Sequence, residues 1–416
     1  MIYKVNDFCD IDHMHKGTNL PKVGSFNRAV VLESIQVGDG ISRVQIAERT
    51  GLTAQTVSVI VRRLLEEGLV VEDGHQSSSG GKPRTILRVD PAAGYAIGIH
   101  FDPVEITYVL ADLAGRPVVK LHRKVRQAVP DAVVRTMART ARRLLRDAGI
   151  PDSKVLGLGL AAPGPLDAKG VIVNPPRLPG WDRVPIREQV ESLIGFPVTV
   201  DNDATAAAIG ERWAGLARST PGFVYLYLGT GIGGGMFLDN QIYRGRSLNA
   251  AELGHITVVP DGPECYCGNR GCVEALCCPS AIVAAARERL ALGAASSLSP
   301  HRLTHARVCA AAAAGDPLAR SVIDEAAARL ADAAVSIVNM LDIDLLVLGG
   351  PALREVGEVY RAAISEAVAG RVLARRLHAV RVEVSPIAAD AAAIGAASLV
   401  FHATYAPRID ALVREA

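Results

Sequence analysis

The chain has 416 residues, 49% of them apolar, with 45 basic and 43 acidic side chains and a formal net charge of +2. That length exceeds one compact core and predicts two or three domains, while the balanced charge excludes a global field that would draw the whole molecule onto nucleic acid or an anionic membrane. No stretch approaches the roughly eighteen apolar residues of a membrane span, and the start, MIYKVNDFCDIDHMHKG, carries charges where a secretory leader needs an apolar run, so a soluble, cytoplasmic chain with reduced cysteines is expected.

Residues 1–20 show no periodicity and read as a disordered tail. From Ser25 the pattern is helical: Ala29, Val30, Leu32, Ile35 and Val37 make one apolar face, ended by Gly38-Asp39-Gly40. Ser42 reads as the N-cap of a second helix stopped at Gly51, and Thr53 caps a third that runs to Gly68. In the third, Val57, Ile60, Val61, Leu64 and Leu65 form the buried stripe, which leaves Gln55, Thr56, Ser58, Arg62 and Arg63 on or beside the open face. Leu69 to Glu72 and Thr85 to Val89 read as a strand pair around the flexible tip HQSSSGGKPR. Three short helices and a hairpin predict a winged helix-turn-helix over 21–90, the third helix set for a major groove; a generic small helical domain is the alternative. Ser42, Thr53, Gln55, Thr56 and Ser58 can meet phosphates or base edges, Arg62 and Arg63 fall where contacts would be made late in the third helix, and the wing residues Lys82, Arg84 and Arg88 would mainly position the protein.

After Asp90-Pro91 the texture changes to apolar strands alternating with Ala/Arg-rich helices. Strands are expected at Gly94–His100, Glu105–Ala111 and Val118–Val125, then a helix through Val133–Ala148 and a buried strand at Val155–Leu160. The succession returns with strands at Phe223–Leu228, Gly233–Leu238 and Asp344–Leu348 and a last helix near Ala389–Val400, which predicts two related α/β lobes with a cleft between them. A Rossmann unit is excluded, because LGTGIGGG at 228–235 has strand-like sequence on both sides; it reads as a β-turn cradling an anion or another backbone.

Between Glu252 and Glu274 the chain reads ELGHITVVPDGPECYCGNRGCVE. Three thiolates and an imidazole, from Cys265, Cys267, Cys272 and His255, are the donor set of a closed tetrahedral structural zinc site, one ion per chain, and Gly268 and Gly271 permit the tight backbone path. Simple core packing and a disulfide framework are the alternatives, the latter disfavoured in a reducing compartment. Cys9, Cys277, Cys278 and Cys309 lack ligand-like spacing and are assigned no role.

An ordered set of motifs, APGPLD at 162–167, NPPRLPGW at 174–181, VDNDATAAAIGE at 200–211, LGTGIGGG, ELGHI at 252–256, CYCGNRGCVE at 265–274 and LLVLGG at 345–350, resembles the ROK family (repressor, open reading frame, kinase) over residues about 20 to 405. The winged helix in front makes the resemblance one to its transcriptional-regulator branch. It implies the actin-like, ribonuclease H-like ATPase fold of sugar kinases, with a first lobe at 91–205 to which a C-terminal helix at 386–405 returns, and a second at 206–416 holding the zinc loop 255–272. By the same resemblance Asn202 and Asp203 correspond to the sugar-contacting asparagine and catalytic aspartate, and Glu252, His255 and Glu274 to further sugar contacts, with Asn174 and Gly164 lining the pocket.

One departure bears on activity. Where the family's kinases carry Asp-x-Gly-Gly-Thr for Mg²⁺-ATP, this chain has His100-Phe101-Asp102-Pro103-Val104, which removes a carboxylate and a backbone donor and adds a charge that repels phosphate. Ala251, where glycine is common, is a smaller departure. The expectation is a sugar-responsive DNA-binding regulator, a repressor of carbohydrate uptake or catabolism genes, without enzyme activity and with Asp203 as a vestigial base. Its partners are operator DNA, a small sugar effector and a second copy, as a homodimer or a dimer of dimers. The alternative is an ATP-dependent kinase of a hexose or N-acetylhexosamine with an N-terminal extension.

Overall fold

The computed structural model describes residues 20–76, 84–125, 128–176 and 178–405. The tail expected at the N-terminus, the tip of the wing with Lys82, and Cys9 lie outside the described residues, except that Leu20 already opens a helix. The chain divides into two compact units, one taking residues up to Asp90 and from Thr404, the other Pro91–Ala403.

In the first unit, α1 (Leu20–Gly38) starts five residues earlier than the apolar pattern indicates. A two-residue strand β1 (Ile41–Ser42) leads into α2 (Arg43–Thr50), and α3 (Ala54–Glu66) follows. Thr53 caps α3 by accepting from the Thr56 N–H, and Val57, Ile60, Val61 and Leu64 are its buried stripe. Strands β2 (Val70–Gln76) and β3 (Arg84–Val89) complete a three-stranded sheet of order β1-β3-β2. The second strand runs past Glu72 because a register shift between Glu72 and His75 breaks the alternation that marks a strand in sequence. His75, Gln76 and Arg84 therefore belong to strands, not to the tip.

The second unit opens with the meander β4 (Tyr95–Phe101), β5 (Glu105–Asp112) and β6 (Pro117–Lys124), then α4 (Pro130–Asp147), β7 (Val155–Ala162), α5 (Ile186–Ile194) and β8 (Val198–Asn202). Helix α6 (Asp203–Ala214) leads to β9 (Phe223–Leu228), β10 (Ile232–Leu238) and β11 (Gln241–Tyr243). Then come α7 (Val273–Cys277), α8 (Pro279–Ala291), α9 (His305–Ala313), α10 (Pro317–Leu341), β12 (Leu345–Gly349), α11 (Gly357–Arg371), β13 (Arg381–Val384) and α12 (Ala391–Tyr405).

The two five-stranded sheets have the same plan. One is ordered β6-β5-β4-β7-β8 and the other β11-β10-β9-β12-β13, each an antiparallel meander continued by two parallel strands. Each sheet is covered by its own apolar cluster, and a third cluster between them joins α6 and α12 to β9 and β12. Ala393, Ala396 and Ala397 of α12 lie so close to β4 and β7 that a Cβ on Gly159 would stand 1.7 Å from the Ala396 carbonyl oxygen. The last helix thus packs on the first sheet, and only a strand without side chains there admits it. Among the described residues no helix is long and apolar enough to cross a membrane.

Candidate functional site

One cavity of about 570 Å³ is lined from both sheets of the second unit. The structure brings together in its wall all seven residues expected around a ligand: Gly164, Asn174, Asn202, Asp203, Glu252, His255 and Glu274. Asn202 and Asp203 come from the β8–α6 junction. Asn202 is the N-cap, its Oδ1 accepting from Ala204 N at 2.9 Å, so the amide end of its side chain stays turned to the Gly164 loop. Asp203, one residue on, accepts Ala204 N through Oδ1 and turns Oδ2 to His100 Nε2 at 3.9 Å. Asn174 holds a left-handed backbone (φ 45°) fixed by Asp182, whose carboxylate accepts its N–H. Asn249, which the motifs do not single out, clips the 162–167 loop by pairing its amide with both Leu166 N and Leu166 O.

The carboxylates crowd one side. Burial first, then the charges of Asp203 and Glu274, push the Glu252 carboxyl up to about 7. Glu274 opens α7 and is buried; its Oε2 accepts the Ile232 N–H at 2.8 Å. At the end of the glycine-rich turn between β9 and β10 the Ile232 N–H is thus taken by the protein's own Glu274 side chain. Ala251 sits at φ 66°, a conformation that costs an alanine and suits the glycine common at this position in the resemblance.

Beside the cavity His255, Cys265, Cys267 and Cys272 offer four donor atoms all within 4.8 Å of one another. Ligands about 2.0 to 2.3 Å from one tetrahedral ion stand roughly 3.5 to 3.8 Å apart. Here His255 Nδ1 is 3.6 Å from Cys265 Sγ, and Cys267 Sγ is 3.7 Å from Cys272 Sγ. Burial, followed by the neighbouring Cys267 and Cys265, pushes the Cys272 thiol up to about 12, so three thiolates this close need a cation to stay ionised together. The donor set fits a metal ion. Its loop is stitched by Cys265 N to Asn269 O, Gly271 N to Pro263 O and Val273 N to Ile256 O. Gly271 (φ 63°) is required there, since a Cβ would fall 1.5 Å from Val259 O. The other imidazole nitrogen, Nε2, faces the cavity, where it meets the Tyr266 hydroxyl at 3.1 Å and Glu252 Oε2 at 4.0 Å.

Across the cavity His100 is buried at the end of β4 with Tyr227 OH 3.5 Å from its Nε2. In the next turn Asp102 accepts from Val104 N at 2.8 Å and from the Thr230 hydroxyl at 3.1 Å, bridging the β4–β5 and β9–β10 turns. Burial raises its carboxyl above the usual range. Pro103 lines the cavity beside it. A carboxylate, a hydroxyl and a proline thus stand together where the two turns meet.

In the first unit Thr53, Gln55, Ser58, Arg62, Arg63 and Arg84 are exposed and Thr56 is half-buried. Some of their polar atoms are engaged locally: the Thr53 and Thr56 hydroxyls pair, and Ser58 donates to Ala54 O. Ser42 differs from the expectation. It is 2% exposed, its hydroxyl and N–H enclosed in a capping box with Gln45, so it starts α2 and presents nothing to a partner. Arg88 pairs with Asp39 at 2.6 Å, tying the sheet to the turn after α1.

Comparison with known proteins agrees with the architecture. The sequence profile of the ROK family matches residues 97–403, and that of winged helix-turn-helix DNA-binding domains matches 30–71. The chain belongs to the ROK family. Among this protein's ROK relatives is the xylose repressor of Caldicellulosiruptor bescii, 27% identical over 380 residues that make up 90% of this chain and 95% of that one. A crystal structure of a ROK family transcriptional regulator, a homologue of the Escherichia coli MLC protein, superposes with a TM-score of 0.76 at 24% identity over 94% of this chain and 98% of that one. At that identity the likeness is one of fold. A ROK family glucokinase from Streptomyces griseus, solved with glucose and AMPPNP, gives a TM-score of 0.65 at 28% identity over 74% of this chain and 99% of that one. That kinase accounts for less of the chain, as a ROK unit without the winged helix would.

Proposed function

We propose that this ROK protein is a sugar-responsive, DNA-binding transcriptional regulator, a repressor of carbohydrate uptake or catabolism genes. The observation that carries the reading is the union, in one chain, of a winged helix with an open α3 face and a ROK cavity lined by Asp203, Glu252 and Glu274; the seat of Asp102 on Thr230, where the family's kinases hold Mg²⁺-ATP, supports it. The xylose repressor, related along nearly its whole length, supports it. In this reading α3 enters a major groove with Thr53, Gln55, Thr56, Ser58, Arg62 and Arg63, and Lys82 and Arg84 position the wing on phosphates. Asn202, Asp203, Glu252, His255 and Glu274 receive sugar hydroxyls, with Asn174 and Gly164 closing the wall. The ion is Zn²⁺, one per chain and structural. The DNA-binding domain spans 21–90 and the ROK lobes meet at 205/206, with 386–405 returning to the first. Two copies read a near-palindromic operator, as a homodimer or a dimer of dimers, and the sugar acts by preferring one arrangement of the lobes.

Affinity selection of genomic fragments by the purified protein, followed by binding titrations with a sugar panel, tests this reading. Specific fragments whose affinity changes with one sugar are expected; no specific fragment, or no sugar effect, contradicts it.

A second reading, a sugar kinase with an N-terminal extension, has one observation in its favour: Asp203 lines the cavity beside an intact 228–235 turn. An ADP-release assay over hexoses and N-acetylhexosamines separates the two. The regulator reading expects no turnover, and turnover abolished by Asp203→Asn would establish the kinase.

A further inference from the structure

Tyr266 stands between two of the cluster's cysteines, and its surroundings are unlike those of a spacer. Its hydroxyl holds the cavity-facing Nε2 of His255 at 3.1 Å, and its ring meets the imidazole edge-on with centroids 5.2 Å apart and planes at 87°. The side chain is nevertheless 55% exposed, so packing alone does not demand an aromatic there. It lines the main cavity and also a side cavity of about 280 Å³ bounded by Glu264, Cys278, Ser280 and Ala281. Glu274 is the other side chain of the ligand wall common to both. The phenol is thus both a hydrogen-bonding group at the ligand-facing end of His255 and a wall shared by two cavities.

We propose that Tyr266 is a specificity-determining residue of the cavity, selecting a monosaccharide whose hydroxyl at the His255 end is unsubstituted; this rests on the sugar-effector reading above. An imidazole that ligates an ion through Nδ1 carries its proton on Nε2, so a free hydroxyl can accept from Nε2 and donate to the phenol oxygen. An O-alkyl group there keeps an acceptor but has no proton for the phenol, an acetamido group replaces the accepting hydroxyl with an N–H, and both bring added bulk toward the ring. Such a group needs the room of two or three waters, on the order of 60 to 90 Å³, and the side cavity behind Tyr266 has that room. Removing the ring joins the two cavities, so selectivity, and not only affinity, depends on this side chain. His255 turns Nδ1 toward Cys265 and Nε2 toward the phenol, so Tyr266 meets the nitrogen that the cluster does not use.

The test is calorimetric titration of the full-length protein and its Tyr266→Phe and Tyr266→Ala variants with D-xylose, D-glucose, N-acetyl-D-glucosamine and the mono-O-methyl D-glucoses, with metal content measured on each preparation. Tyr266→Phe, which keeps the shared wall and loses one hydrogen bond, is expected to weaken the unsubstituted sugar about 3- to 10-fold. Tyr266→Ala is expected to raise the affinity of one substituted sugar relative to its parent by about 10-fold or more, at unchanged metal content. Unchanged affinity in Tyr266→Phe together with unchanged ratios in Tyr266→Ala overturns the proposal while leaving a sugar-binding cavity standing. If Tyr266→Ala loses metal or fold, the Phe variant decides alone, unchanged affinity overturning the proposal. Absence of binding by the unaltered protein to every probe removes the sugar-effector reading itself, and this inference with it.

Discussion

His255 turns Nδ1 toward Cys265 and Nε2 toward the cavity, so one imidazole joins the cysteine cluster to the ligand wall. An ion held by Nδ1 and the three sulfurs would fix the ring's direction, and with it the hydrogen bond that Nε2 presents. Cys272→Ser is therefore predicted to lower metal content from about one ion per chain to a small fraction of that and to lose the sugar response with it. Atomic absorption beside a sugar titration measures both; a full response without metal contradicts the coupling. On the other unit, Gln55 is exposed in the first turn of α3, where an amide can read a base edge. Gln55→Ala should reduce discrimination between operator and mismatched DNA by about 10-fold, a cost of roughly 1 to 3 kcal/mol, whereas Arg84→Ala should weaken all DNA alike and flatten the salt dependence. Anisotropy titrations on matched and mismatched duplexes at two salt concentrations distinguish the two effects.

At the scale of elements, α6 starts at the ligand-lining Asp203 and carries the fully buried Glu211 in its last turns. Its carboxylate accepts from the Ser385 hydroxyl at 2.6 Å and the Leu216 N–H at 2.6 Å, which ties the helix to the segment after β13. Burial outweighs both hydrogen bonds and raises its pKa above the ordinary value of 4.5. A carboxyl raised on folding contributes stability that is complete below the unfolded pKa and is lost as pH climbs through the folded one. Glu211→Gln is thus predicted to gain melting temperature relative to the unaltered protein as pH rises from about 4.5 toward neutrality; a constant difference across that range contradicts it. Much at this scale is legible in the sequence. The α3 stripe, its Thr53 cap and the alternation of strands and helices follow from periodicity, and the cysteine and histidine spacing announces a metal cluster. Other features lack a local signature. Strand β1 is two residues long, too short for a period, and owes its existence to pairing with Leu87 and Ile86. Ser42 looks as available as Thr53 until that pairing buries it. The seat of Asp102 on Thr230 joins residues 128 positions apart, and no spacing rule reaches so far. Tyr266 lies within a recognisable motif, yet its contact with His255 Nε2 depends on the folded loop.

Over the whole molecule, the repeated sheet plan explains where a ligand can act. Each meander turn, β4–β5 and β9–β10, points into the same cavity, and in this chain the two are joined by an internal carboxylate and hydroxyl. A cavity reached from both sheets lets a small ligand bias their arrangement, provided it binds one arrangement better than the other. That requirement makes the central claim quantitative. The most direct measurement is the affinity of the full-length protein for a selected genomic fragment, by fluorescence anisotropy at fixed salt, as D-xylose, D-glucose, N-acetyl-D-glucosamine and further sugars are titrated in. The account predicts that one of them shifts the apparent Kd by about 5-fold or more and that Glu274→Ala abolishes the shift. Specific DNA binding that every sugar leaves unchanged would contradict it.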